Sequence, residues 1–184
     1  MKKVVVKTKI RGRDDFEERL GRAGFDFGPI YWQHDRVYIP RGYRRGQNYP
    51  RFVLRTEMRA IDRPAKYYLI LKRHIEDSGA EIEHVTAVKD YTEAVGIVMQ
   101  LGFELFAEVS RKRQETRFRD GKVLFLDKIE GVNGYYAKIE KVIPEGEKVD
   151  IVKDEIARAF AEMGEQNFVQ ETYAEVLKNI RPVI

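Results

Sequence analysis

Cysteine is absent from the 184 residues, which excludes disulfides and thiolate metal sites and points to a reducing compartment. Histidine is scarce: His34, His74 and His84 share no helical or hairpin metal spacing, so all three are expected at surface or structural positions. No apolar run approaches the length that crosses a membrane. The opening Met1-Lys2-Lys3-Val4-Val5-Val6-Lys7 returns to lysine too soon for a signal peptide, so a soluble cytoplasmic protein is expected. An excess of one charge is also missing. With 34 Lys+Arg against 30 Asp+Glu, the net charge is +4, which does not by itself argue for nucleic acid. What matters is where the charges sit.

Charge as such is abundant, at 35% of residues, and it recurs at every second position between Lys66 and Glu140. Arg111, Arg113, Glu115 and Arg117 would share one face of a strand. The same spacing holds for Arg51, Arg55, Glu57 and Arg59, for Glu81 and Glu83, and for Lys138 and Glu140. Several strands with one charged face suggest a sheet closing around a polar interior, and a charged interior is too costly to serve as packing.

Period-two patterning predicts strands over 2–11, 30–39, 51–60, 66–74, 80–88, 103–118, 122–129 and 135–143. Asp14 or Asp15 is expected to cap a helix that runs to Arg22 and ends at Gly24. Asp90 is expected to cap an amphipathic helix with Ala94, Val95, Val98 and Leu101 on its apolar stripe. The segments 149–163 and 168–179 read as helices split by Gly164. Pro40 to Pro50 is a loop, and Asp120-Gly121 is the strongest hairpin signal. With no repeat or linker, residues 1–184 read as one α+β domain.

Three basic clusters stand out: Arg51, Arg55 and Arg59; Lys72; and Arg111, Arg113 and Arg117. Phe52, Leu54 and Met58 back the first, and Leu69 and Leu71 back Lys72, so the charged face can be turned to water or to a lumen. Arginine's planar fork suits phosphate. The carboxylates Glu81, Glu83, Asp127 and Glu140 fit either Mg²⁺ or Mn²⁺ beside phosphate or salt bridges to the arginines. Gly131-Val132-Asn133-Gly134 lies between two strands and reads as a hairpin turn rather than a phosphate loop. The loop Arg41-Gly42-Tyr43-Arg44-Arg45-Gly46 mixes arginine with an aromatic, a pattern that can touch RNA but equally fits a mobile loop.

Taken in order, several blocks resemble the CYTH superfamily, the triphosphate tunnel proteins that include class IV adenylyl cyclases and thiamine triphosphatases. They are Tyr68-Leu69-Ile70-Leu71-Lys72, Glu81-Ile82-Glu83, Leu101-Gly102-Phe103, Arg111-Lys112-Arg113, Leu126-Asp127-Lys128-Ile129-Glu130-Gly131 and Lys138-Ile139-Glu140. Glu171-Thr172-Tyr173 resembles the start of the family's C-terminal helix. The resemblance implies an eight-stranded antiparallel β-barrel with helices packed outside and a triphosphate held in the lumen. By position it implies phosphate contacts from Lys9, Arg55, Lys72, Arg111 and Arg113, and divalent metal held by Glu81, Glu83, Asp127 and Glu140. Asp35 and Tyr38 match the family's second-strand acid and aromatic.

The departures carry the functional expectation. The family's opening Glu-x-Glu-x-Lys stands here as Val5, Lys7 and Lys9. The first acid of its late Glu-x-Glu pair is Lys138, and one of its third-strand arginines is Val53. A protonated lysine cannot ligate a metal and repels one. Lys7 and Lys138 are therefore expected to neutralise phosphate charge where the family uses Mg²⁺ or Mn²⁺. The expected protein binds a triphosphate-bearing small molecule with metal-dependent catalysis weakened or lost. An active triphosphatase or class IV adenylyl cyclase is the alternative, and an RNA- or protein-interaction module the third reading.

Overall fold

The computed structural model describes residues 1–44, 49–75 and 80–180. Eight strands close into a barrel in the order β1-β5-β4-β3-β2-β6-β7-β8, and every neighbouring pair is antiparallel. They are β1 (Lys2–Ile10), β2 (Tyr31–Pro40), β3 (Arg51–Met58), β4 (Lys66–His74), β5 (Ala80–Val88), β6 (Phe103–Arg117), β7 (Val123–Ile129) and β8 (Tyr135–Ile143). Among the described residues the helices are α1 (Arg13–Arg22), α2 (Tyr91–Gln100), α3 (Val149–Glu162) and α4 (Tyr173–Ile180). The chain thus has the α+β barrel architecture that the CYTH resemblance implies.

The alternation that makes these strands also sorts their side chains into two environments. On β1, Val4, Val6 and Ile10 point outward and pack with Leu124, Ile139 and Ile143 beneath Val152, Ile156 and Phe160 of α3 and Phe16 and Leu20 of α1. On the other side, Leu54 of β3 and Tyr38 of β2 pack under Ala94 and Val98 of α2. The main apolar cores therefore lie outside the barrel wall, between sheet and helices. Burial there stabilises the barrel at roughly 25 cal/mol per Å² of apolar surface. The inner positions carry most of the buried charge beside a smaller apolar cluster of Val37, Val53 and Val109, and the charged faces turn to the lumen: Arg51, Arg55, Lys72, Arg111 and Arg113 line it.

Two elements differ from the sequence expectation. Helix α1 has Gly12 at its N-cap with no side-chain cap bond, and Asp14 and Asp15 lie in the first turn instead, where a carboxylate still favours the positive end of the helix dipole. Helix α4 begins at Tyr173, not Phe168. The intervening residues run extended along β1: Phe168 bridges Thr8, the Val169 N–H donates to the Lys7 carbonyl (2.8 Å), and the Thr8 hydroxyl donates to the Asn167 carbonyl (2.8 Å). Backbone pairing with a strand edge outcompetes helix propensity there. As expected, the Asp90 carboxylate caps α2 by accepting from the Glu93 N–H at 3.0 Å. Arg45 and Gly46 of the arginine-rich loop lie outside the described residues.

Candidate functional site

The lumen holds a cavity of about 530 Å³, within the usual range for small-molecule sites. Its floor is a set of buried ion pairs. Arg55 donates to both oxygens of Asp35 (2.7 and 2.9 Å), and Arg111 donates to Asp35 (2.8 Å) and to the Gln33 side-chain oxygen Oε1 (2.7 Å). Arg113 donates to both oxygens of Asp127 at 2.6 and 2.7 Å. Burial opposes the charge of Asp35, but Arg111 and Arg55 outweigh it and hold the carboxyl far below its ordinary range. The same contest, won by Arg113, holds Asp127 ionised.

A second cluster sits on β1, β4, β5 and β8. The Lys3 ammonium lies 2.8 Å from Glu83, 3.0 Å from Glu140 and 4.0 Å from Glu81. Lys72 lies 3.1 Å from Glu81 and 2.7 Å from Glu83. Arg51 reaches Glu81 at 3.4 Å, and Lys138 contacts Glu140 at 2.5 Å. Burial works against the Glu81 charge, yet Lys72, Arg51 and Lys3 bring its pKa down to about 2. For Glu140, Lys138 and Lys3 overcome burial and hold it well below the usual range.

These contacts decide whether the acids fit a metal. Asp127 turns both oxygens to Arg113 and also accepts from the Tyr173 hydroxyl at 2.8 Å. Glu81, Glu83 and Glu140 surround the ammonium of Lys3. Among the described residues no group of three or more His, Asp or Glu is arranged to hold a metal ion. A divalent cation needs several oxygen ligands free of competing cations, and this donor set does not supply them. Lys3 and Lys72 fill the acidic cluster with fixed ammonium charge.

Two lysines face each other with less compensation. Lys7 and Lys138 are direct cross-strand neighbours on β1 and β8, an arrangement that like charges disfavour. Burial, then Arg113, pushes Lys138 down to about 7 despite Glu140. Burial, then Arg51, pushes Lys7 down to about 8. Lys7 donates to the Glu171 carbonyl and stands over the Tyr173 ring. Such lysines are poised to take up a proton when an anion arrives.

Of the residues named from sequence, Lys7, Arg55, Lys72, Arg111, Arg113 and Lys138 line the cavity together with Glu81 and Glu140. Glu83 lies deeper, against Lys3 and Lys72. Lys9 does not join them: it is exposed, and its Cε would stand 3.1 Å from a Cβ on Gly134 in the β7–β8 turn. His74 stands exposed at the rim of the cavity, a surface position as expected, and partial burial, followed by Arg51, lowers its pKa to about 4. Tyr38 packs outside the barrel under α2. Sequence reasoning missed Lys3, although it shares the period-two face of Val5 and Lys7. It also missed Tyr173 as a lumen residue, because that placement depends on the extended strap before α4.

No family model and no curated protein matches the sequence. Solved structures match its fold along nearly the whole chain. The PH1819 protein of Pyrococcus horikoshii superposes with a TM-score of 0.83 at 20% identity, covering 97% of this chain and 99% of that one. A candidate adenylate cyclase from Vibrio parahaemolyticus gives 0.78 at 14% identity, with 96% and 97% covered. A candidate adenylyl cyclase from Hippeastrum, described as having a dominant triphosphatase activity, gives 0.63 at 14% identity, with 100% and 98% covered. At these identities the likeness is one of fold: the chain is a closed eight-stranded barrel that superposes on these structures along nearly its whole length.

Proposed function

We propose that the chain is a CYTH-type tunnel protein that binds a triphosphate-bearing small molecule through lumen cations, with metal-dependent catalysis weakened or lost. One observation carries this reading. Lys7, Arg51, Lys72 and Lys138 converge on a 530 Å³ cavity, while the acids that would recruit a metal are held by Lys3, Lys72 and Arg113. An incoming polyphosphate keeps Lys7 and Lys138 protonated and uses Arg51 and Lys72 in exchange for part of their contact with Glu81. In a desolvated cavity such contacts are far stronger than in water. A protein localised to the cytoplasm fits the absence of cysteine.

The alternative is an active metal-dependent triphosphatase or adenylyl cyclase. The description of the Hippeastrum protein as a triphosphatase favours it, and Glu81, Glu83, Asp127 and Glu140 would then have to release their cations to Mg²⁺ or Mn²⁺. Thermal shift with tripolyphosphate separates the two readings. The first expects the same rise in Tm in EDTA and in Mg²⁺, with no phosphate release. A Tm rise or turnover that requires Mg²⁺ or Mn²⁺ and disappears in Glu140→Ala establishes the alternative. RNA binding without any response to tripolyphosphate would sink both tunnel readings.

A further inference from the structure

The upper half of the lumen is split by chemistry. β2, β3 and β6 lie across the barrel from β1, β5 and β8. The β1, β4, β5 and β8 side presents Lys7, Lys72, Glu81, Lys138 and Glu140, whereas the β2, β3 and β6 side, besides Arg51 and the ion pairs of Asp35, Arg55 and Arg111, presents Val37, Ile39, Val53, Phe106 and Val109. None of those five side chains carries a polar atom. Phe106 is there because of an irregularity in β6. Val37 pairs with Ala107 and Tyr38 with Leu105, so Phe106 is the extra residue of a bulge. Bulges re-aim side chains, and this one sends Phe106 onto the lumen wall, where strict alternation from Val109 and Ala107 would turn it outward. Val169 of the C-terminal strap and Ala174 of α4 pack against the same wall, which limits how much further apolar material it can hold.

We propose that the tunnel's ligand is a polyphosphate ester of a short hydrocarbon, with its phosphates on the cationic wall and its hydrocarbon on the Val37–Val53–Phe106–Val109 wall. The proposal deepens the tunnel reading above and rests on it. A nucleobase carries donors and acceptors that need fixed partners, since a buried polar group left unpaired costs affinity. The five wall side chains offer none; beside them lie the half-buried Tyr43 and Tyr49, the exposed Gln170 and the Lys178 ammonium over the Phe106 ring. A hydrocarbon needs no partner and gains by leaving water. Val53, buried in the same cluster, extends the apolar wall.

Isothermal titration in EDTA with pyrophosphate, geranyl diphosphate, geraniol, tripolyphosphate and ATP tests this. Geranyl diphosphate is expected to bind at least about tenfold tighter than pyrophosphate, from apolar burial of the chain. Geraniol alone should not bind measurably, and ATP should bind no tighter than tripolyphosphate. Phe106→Ser should bring the geranyl diphosphate to pyrophosphate ratio towards one. Equal affinity for the two diphosphates, tighter binding of ATP than of tripolyphosphate, or a ratio unchanged in Phe106→Ser overturns the hydrocarbon assignment while leaving phosphate binding standing. Failure of every phosphate compound to bind overturns the tunnel reading as well.

Discussion

Lys3 shows how a single residue redirects the chemistry of this lumen. Its ammonium lies within 3.0 Å of both Glu83 and Glu140, a place where three converging carboxylates would otherwise attract a cation from solution. Removing one partner of a buried ion pair costs about 3 kcal/mol or more, so Lys3→Met should be destabilised by several degrees. Mn²⁺ should raise the Tm of that variant and leave the wild type unchanged; a variant indifferent to Mn²⁺ would show that the carboxylates do not converge on one ion. Lys138 makes a different prediction. Its folded pKa is about 7 against an ordinary 10.5, so the unfolded chain binds more protons between those values and stability rises with pH across that window. Lys138→Met should flatten the rise between pH 7 and 10. The carboxylates act at the other end: with Glu81 at about 2 against 4.5, the stability they add is present above pH 4.5 and is lost as pH falls towards 2. Chemical denaturation across pH reads both slopes, and an unchanged alkaline slope in Lys138→Met would remove that lysine from the account.

Among the elements, β1 and the C-terminal strap set the character of the tunnel. Val5 and Lys7 on β1 face Glu140 and Lys138 on β8, the two strands on which acids are expected from the CYTH resemblance. Combining Val5→Glu, Lys7→Glu and Lys138→Glu should give a tunnel whose phosphate binding depends on Mg²⁺; unaltered metal affinity in calorimetry would count against the strand register. The strap brings Tyr173 over Asp127 and beside Lys7 and Arg111. Tyr173→Phe removes a hydrogen bond to a charged group, worth about 1.5–3 kcal/mol, but keeps the ring. A Tm lowered by a few degrees is expected, together with faster amide exchange confined to residues 167–175. An exchange pattern identical to wild type would mean that the hydroxyl does not anchor the strap. Sequence reading placed every strand close to its observed position because two-residue periodicity is local. It placed α4 too early, because the extended stretch is dictated by a partner strand some 160 residues away, as in the Thr8–Phe168 bridge.

For the molecule as a whole, the barrel inverts the usual arrangement, with its main apolar cores outside the wall and charge within. The alternating charges at Arg111, Arg113, Arg51 and Arg55 made that interior legible from sequence, and the family blocks supplied barrel closure. Sequence could not show which charges neutralise which. That pairing depends on strands distant in the chain, as when Lys3 meets Glu140 or Arg111 meets Asp35. Nor could it show Lys9 falling outside the cavity, or Phe106 turned inward by the register shift between β2 and β6. The account's central claim is that fixed lysine and arginine charge takes the place of a metal in binding polyphosphate. Calorimetric titration of the wild-type protein with tripolyphosphate in EDTA tests it most directly. The prediction is saturable one-to-one binding that does not tighten when Mn²⁺ replaces EDTA; no binding in EDTA, with binding restored by Mn²⁺, would contradict it.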